Sequence, residues 1–166
     1  MDEIGAQSEL TFNGPLEAGV RAVAILGAAF PRSLDLQRMT ILDYLIVRTE
    51  VLGGPRNLHP DTPIKTPATE VRRRTVQDAL NLMMTRNLVA QLSTDRGIEY
   101  RAGDNAAMFL DALSTPYFES MKDRVGWLIE FFADYDGQQI DELMNNLFDR
   151  WVAEFQEIEL SLGVAS

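Results

Sequence analysis

The sequence predicts a mainly α-helical fold with one small β-hairpin, on three observations. From Thr69 to Asn87 the apolar residues Val76, Ala79, Leu80, Met83 and Met84 recur at spacings of three and four, the period of a helix. Directly afterwards Leu88-Val-Ala-Gln-Leu-Ser93 and Ile98-Glu-Tyr-Arg101 alternate around an Asp95-Arg-Gly97 turn. Two more helical patterns come before this unit, at Pro15–Phe30 and Leu34–Val47. Three helices followed by a hairpin is the order of a winged-helix domain, placed here at residues 12–103. Residues 104–162 follow as an acidic helical extension. Winged helices either read DNA or serve as protein docking modules, and the functional reading turns on that choice.

Each element has a local cause. Met1–Thr11 lacks any periodic pattern and reads as a loose tail. Asn13 or Gly14 suits a helix cap, and Pro15 suits the first turn. Leu16, Val20, Val23, Leu26 and Phe30 form the stripe of the first helix, while Gly19, Ala22, Gly27 and Ala28 keep it thin enough for close packing. Pro31 ends it, and Ser33 or Asp35 can cap the second helix. That second helix is apolar on several sides (Leu36, Met39, Ile41, Leu42, Leu45, Ile46), which predicts the central, most buried position. The stretch Thr49–Thr69 reads as a loop, with Gly53-Gly-Pro55, Pro60, Pro63 and Pro67. Its length points to function or disorder, its prolines to a fixed shape, and its few hydrophobic residues to a place outside the core.

After the hairpin the pattern is helical to the end. Asp104 or Asn105 can cap a segment carrying Met108, Phe109, Ala112 and Leu113. Thr115-Pro116 opens a longer helix with Met121, Val125, Leu128 and Phe132 on one face, and Asp134-Tyr-Asp-Gly137 breaks it. A last helix spans about Gln138 to Leu160. The short break predicts that these last two helices form an antiparallel pair. Their aromatics, among them Trp127, Trp151 and Phe155, read either as core or as a face left over for a partner. Phe131 and Phe132 are adjacent, so one helix cannot point both inward, and one is free to anchor a partner.

Charge is divided unevenly. Residues 1–103 hold 12 Lys/Arg and 12 Asp/Glu, whereas residues 104–166 hold 3 and 13, so the net charge of −10 resides in the last part. That part repels phosphate and favours a basic protein surface, with Asp141 and Glu142 as candidate contacts. DNA contact falls to the first part. There Arg72-Arg-Arg74 opens the third helix, Arg73 shares a face with Gln77, Arg72 packs at the edge of the apolar stripe, and Arg96 tips the hairpin. Opposing a DNA role, cations at a helix start oppose its dipole, and Glu70, Asp78 and Glu99 dilute the patch.

An enzyme is hard to build from these residues. Cysteine is absent, and the single histidine, His59, lies in the long loop with only Asp61 nearby. Gly53-Gly54 runs into Pro55 and cannot form a phosphate-binding loop with its lysine. No metal site, catalytic set or cofactor is expected. A small-molecule sensor built on the aromatic helices has no polar constellation to recommend it. The acidic start lacks the basic residues of a targeting signal, and Val23–Phe30 is too short to span a bilayer. The expectation is a cytoplasmic protein.

Several blocks together resemble one family. They are Phe12-Asn-Gly-Pro-Leu-Glu-Ala-Gly-Val-Arg21, Asp35-Leu-Gln-Arg38 with Asp43-Tyr44, Gly53-Gly-Pro55 with Leu58-His-Pro60, Glu70 with Arg72-Arg-Arg74, and Gly97-Ile-Glu-Tyr-Arg-Ala102 leading to Phe109, Leu113 and Tyr117. From Phe12 to Trp127 the chain resembles the middle component of bacterial ABC-three-component systems, the group that includes the small subunit of Lamassu anti-phage complexes. Gly14 and Val47–Glu50 depart from that pattern. The resemblance implies a non-catalytic accessory subunit that joins an SMC-like ATPase to an effector, often a nuclease. The alternative is a winged-helix transcription regulator that binds duplex DNA as a homodimer.

Overall fold

Helix α1 (Pro15–Ala29) begins where Pro15, which has no N–H to lose, follows an extended Gly14. In this computed structural model the described residues are 14–58, 69–161 and 163. The side chains at 69–71, 148, 150–159 and 161 lie outside that description. Residues 18–26 of α1 are all buried, Arg21 among them. A Cβ on Gly19 would collide with Met83, and one on Gly27 would lie 2.7 Å from Leu110. Small residues thus let neighbours close in from several directions, and α1 takes the central place that the sequence assigns to the second helix. The neighbours cover only its middle, so Leu16 and Phe30, at its two ends, are 55% and 62% exposed rather than part of a buried stripe.

Strand β1 (Leu34–Asp35) runs directly into α2 (Leu36–Ile46), whose cap is Asp35: its carboxylate accepts the Arg38 N–H at 2.8 Å. Ser33 instead donates to Glu99 at 2.8 Å. The following segment is a 3-10 turn, Thr49–Leu52, ended by Gly53 at φ 76°. Here the long loop has a definite shape. The Thr49 hydroxyl donates to Pro55 O, and Glu50 and Asn57 exchange N–H donors for side-chain oxygens at 3.1 Å. Arg124 donates to Arg56 O at 2.9 Å. Thr49 is fully buried, and Val51, Leu52 and Leu58 pack on the core, which corrects the expectation that this segment stays outside it. Residues 59–68, His59 included, lie outside the described residues.

Helix α3 (Thr69–Met84) leads through a left-handed Asn87 (φ 58°) into β2 (Val89–Thr94) and β3 (Gly97–Ala102). β2 and β3 pair antiparallel, as the alternation predicts, with Val89 opposite Ala102 and Thr94 opposite Gly97. The sheet has a third strand. β1 pairs antiparallel with β3, Leu34 opposite Tyr100 and Asp35 opposite Glu99, giving the order β1-β3-β2. Two residues are too few to show a period, so this strand leaves no sequence signal.

Three helices follow among the described residues: α4 (Ala106–Ala112), α5 (Pro116–Phe131) and α6 (Gly137–Ser161). Thr115 caps α5 by accepting from Phe118 N. Asp136 and Gln139 cap α6 reciprocally, each side chain accepting the other's backbone N–H at 2.7 and 2.9 Å. α5 packs on α1 and α2, and Met121, Val125, Leu128 and Leu147 join Val23, Ile25, Leu45 and Leu80 in one hydrophobic core. An antiparallel packing of α5 on α6 is not among the principal helix contacts of the described residues. No helix of the described residues is long and apolar enough to cross a membrane.

Candidate functional site

The strongest polar feature lies inside the molecule, where α1, α2 and α3 meet. Arg21 Nε donates to Asp43 Oδ1 at 2.7 Å, and Arg72 Nη1 donates to Asp43 Oδ2 at 2.9 Å. Arg21 and Asp43 side chains are 6% and 4% exposed, so both charges are lost to water and answered by one another. Burial on its own would lower the Arg21 pKa. The charge and hydrogen bond of Asp43, with smaller contributions from Tyr117 and Glu17, carry it above its ordinary value instead. The Arg72 and Arg48 guanidinium groups lie 5.1 and 4.9 Å from the centre of the buried Tyr44 ring, within cation–π range. Arg72 is therefore committed to this cluster, not merely packed at the edge of a stripe. Sequence reading passes over Arg21 and Asp43 as site residues. The signal is there: each is a charge set between apolar neighbours, Arg21 between Val20 and Ala22 and Asp43 between Leu42 and Tyr44.

Arg73 and Arg74 are exposed on α3. Gln77 is tied down, its amide nitrogen donating to Asn81 at 3.2 Å and to the Tyr100 hydroxyl at 3.1 Å. This bond anchors α3 to β3 and draws Gln77 away from a purely outward role. Arg96 is exposed at the hairpin turn, and Asp141 and Glu142 are exposed near the start of α6, where Glu142 accepts from Gln138.

Phe131 and Phe132 divide as neighbours on one helix do, with Phe132 turned to the core. α5 ends at Phe131, and Phe132 still donates its N–H to Leu128 O in helical register; both residues are half-buried. Phe132 packs on the core. Phe131 stacks on Tyr135 at 5.4 Å and contacts Trp127 at 5.3 Å. Trp127 in turn covers Gly54, where a Cβ would approach its ring to 2.5–2.7 Å, so only glycine lets the loop lie against α5. The exposed apolar residues are elsewhere. Leu16, Leu82 and Met108 line a groove of about 550 Å³ between the ends of α1, α3 and α4. Among the described residues no group of three or more His, Asp or Glu could hold a metal ion.

A family model for middle component 2 of ABC-three-component systems matches residues 11–154. This chain belongs to that family. No curated protein and no solved structure matched it. Middle-component membership covers the buried Arg21–Asp43–Arg72 cluster, the exposed arginines of α3 and most of acidic α6 in a single match. A middle component is one part of a multi-component system, which makes partner subunits part of its setting. Its exposed charged and apolar surfaces are then read first as places where such partners can lie.

Proposed function

We propose that this chain is a non-catalytic scaffold and coupling subunit of a Lamassu-type bacterial anti-phage or anti-plasmid defence complex. It joins an SMC-like ATPase to an effector, such as a nuclease, and restrains that effector until the ATPase engages DNA. Family membership as a middle component is the observation that carries this reading. The order α1-β1-α2-α3-β2-β3 with an antiparallel sheet suits a winged-helix domain over residues 12–103, and SMC complexes use winged-helix subunits to bind ATPase heads. The acidic excess after residue 103 suits a basic partner surface on the extension 104–162, with α5 and α6 as its helical pair. A single histidine and no cysteine suit a subunit without catalysis, and the work is assigned to the cytoplasm.

Co-expression with an SMC-like ATPase and an effector taken from the genes flanking its own tests this directly. A stable three-part complex after two orthogonal affinity steps is the expected result; a chain that purifies free of both overturns it. Exposed Arg73 and Arg74 favour the second reading, a DNA-binding regulator. That protein would bind duplex DNA alone as a homodimer, with affinity falling steeply with salt.

A further inference from the structure

Three arginines from separate parts of the chain line one cavity of about 420 Å³. Arg32 comes from the link between α1 and β1, Arg38 from the start of α2, and Arg96 from the hairpin turn. Phe132 and Tyr135, from the corner between α5 and α6, line the same cavity, with Ile140 of α6 beside them. Arg38 lies against Gly137, where a Cβ would come within 2.8 Å of its Nη2; the glycine leaves room for the guanidinium.

The charge around this cavity is unbalanced. Among the described lining residues Glu99 is the one carboxylate, and its oxygens are already engaged. Oε1 accepts from Ser33 at 2.8 Å and Oε2 from Thr94 at 2.7 Å. The Thr94 bond, then the Ser33 bond, hold its carboxyl below the ordinary range, with Arg96 and Arg38 adding attraction. Among the described residues none of the three guanidinium groups makes a hydrogen bond or ion pair of its own. Forked donors left unpaired around a concave, partly aromatic space describe a site for an anion attached to a planar body. Three guanidinium forks around one cavity exceed what one carboxylate accepts, whereas a phosphate offers three oxygens.

We propose that this cavity binds a nucleoside phosphate, its phosphate held by Arg32, Arg38 and Arg96 and its ring laid against Phe132, Tyr135 and Ile140. The inference is independent of the coupling role and stands or falls separately. The polar constellation is invisible in the sequence because its members lie 6, 58 and 64 positions apart and meet only through the fold.

Isothermal titration of the full chain with AMP, inorganic phosphate and a 5′-phosphorylated single-stranded oligonucleotide tests it. AMP should bind saturably and at least about tenfold more tightly than inorganic phosphate, since only AMP brings a ring. The double variant R38Q/R96Q should weaken AMP by about tenfold or more, with an unchanged circular dichroism spectrum and urea midpoint. R32Q/R96Q, at exposed positions, repeats the test should the change at Arg38 disturb the fold. Y135A should narrow the gap between AMP and phosphate without weakening phosphate. Tighter binding of the oligonucleotide than of AMP assigns the nucleoside phosphate to a strand end and upholds the site. No saturable binding by either nucleotide, or AMP binding unchanged in both double variants, overturns it.

Discussion

Asp43 on α2 holds Arg21 on α1 through a 2.7 Å bond in a place where neither side chain reaches solvent. With Arg72 on its second oxygen, one carboxylate ties three helices together. Removing the carboxylate takes from the buried Arg21 its main counter-charge. Asp43→Ala should therefore destabilise the fold by about 3–5 kcal/mol in urea unfolding. Replacing Arg21 as well, as Arg21→Met with Asp43→Leu, should recover much of that loss, because packed apolar groups need no counter-charge. A double variant as unstable as Asp43→Ala would show that the pair contributes something beyond mutual neutralisation.

Tyr117 begins α5 close to Glu17 and Arg21. Burial, then repulsion from Glu17, push its phenol up to about 12, with Arg21 pulling the other way. A phenol whose pKa is higher folded than unfolded keeps its proton more firmly in the native state. Its stabilising contribution is complete below pH 10, the unfolded value, and drains away as pH rises through about 12. Ultraviolet difference titration of wild type against Tyr117→Phe should show the missing step near the upper end of that window. A missing step at 10 would place Tyr117 in open solvent.

The exposed arginines of α3 should act in the assembly and not in the fold. Arg73→Glu with Arg74→Glu should leave the unfolding free energy within about 0.5 kcal/mol, since both side chains are exposed. Complex assembly or phage protection should fall sharply through lost charge pairs or phosphate contacts. Normal protection by the double variant would mark the patch as a solvated face.

Acidic α6 should speed docking. Charge reversal at Asp141 and Glu142, both exposed, should slow association with the ATPase or the effector, by about tenfold at low salt and far less at high salt. Folding should be unaffected, because exposed charges contribute little to stability. Stopped-flow association rates across ionic strength decide this, and rates unchanged for both partners would make the acidity incidental. Glu154 and Glu157, further along the same helix, have side chains outside the described residues.

Period and punctuation make much of this fold legible in the sequence. Val76, Ala79, Leu80 and Met83 repeat at helical spacing and are all buried in α3, and the alternation around Asp95-Arg-Gly97 marks β2 and β3. Pro15, Asp35 and Thr115 stand at the helix starts they announce. Long-range consequences are not written in local pattern. α1 outranks α2 in burial because Gly19 and Gly27 admit Met83 and Leu110, a fact about neighbours. β1 exists because β3 has an edge to pair with. The Arg21–Asp43–Arg72 cluster joins residues 22 and 29 positions apart, and no spacing rule reaches so far. Family resemblance is the exception, since it reads many distant positions together.

Effector activity in the reconstituted system tests the coupling role most directly. The ATPase and the effector would be assayed with and without this chain, each in the absence and presence of linear DNA, with nucleic-acid degradation as the readout. The expected result is an effector that is silent when this chain and the ATPase are bound and becomes active only when DNA is added. Effector activity that ignores this chain, with DNA or without it, would contradict the proposal that the subunit restrains and releases its partner.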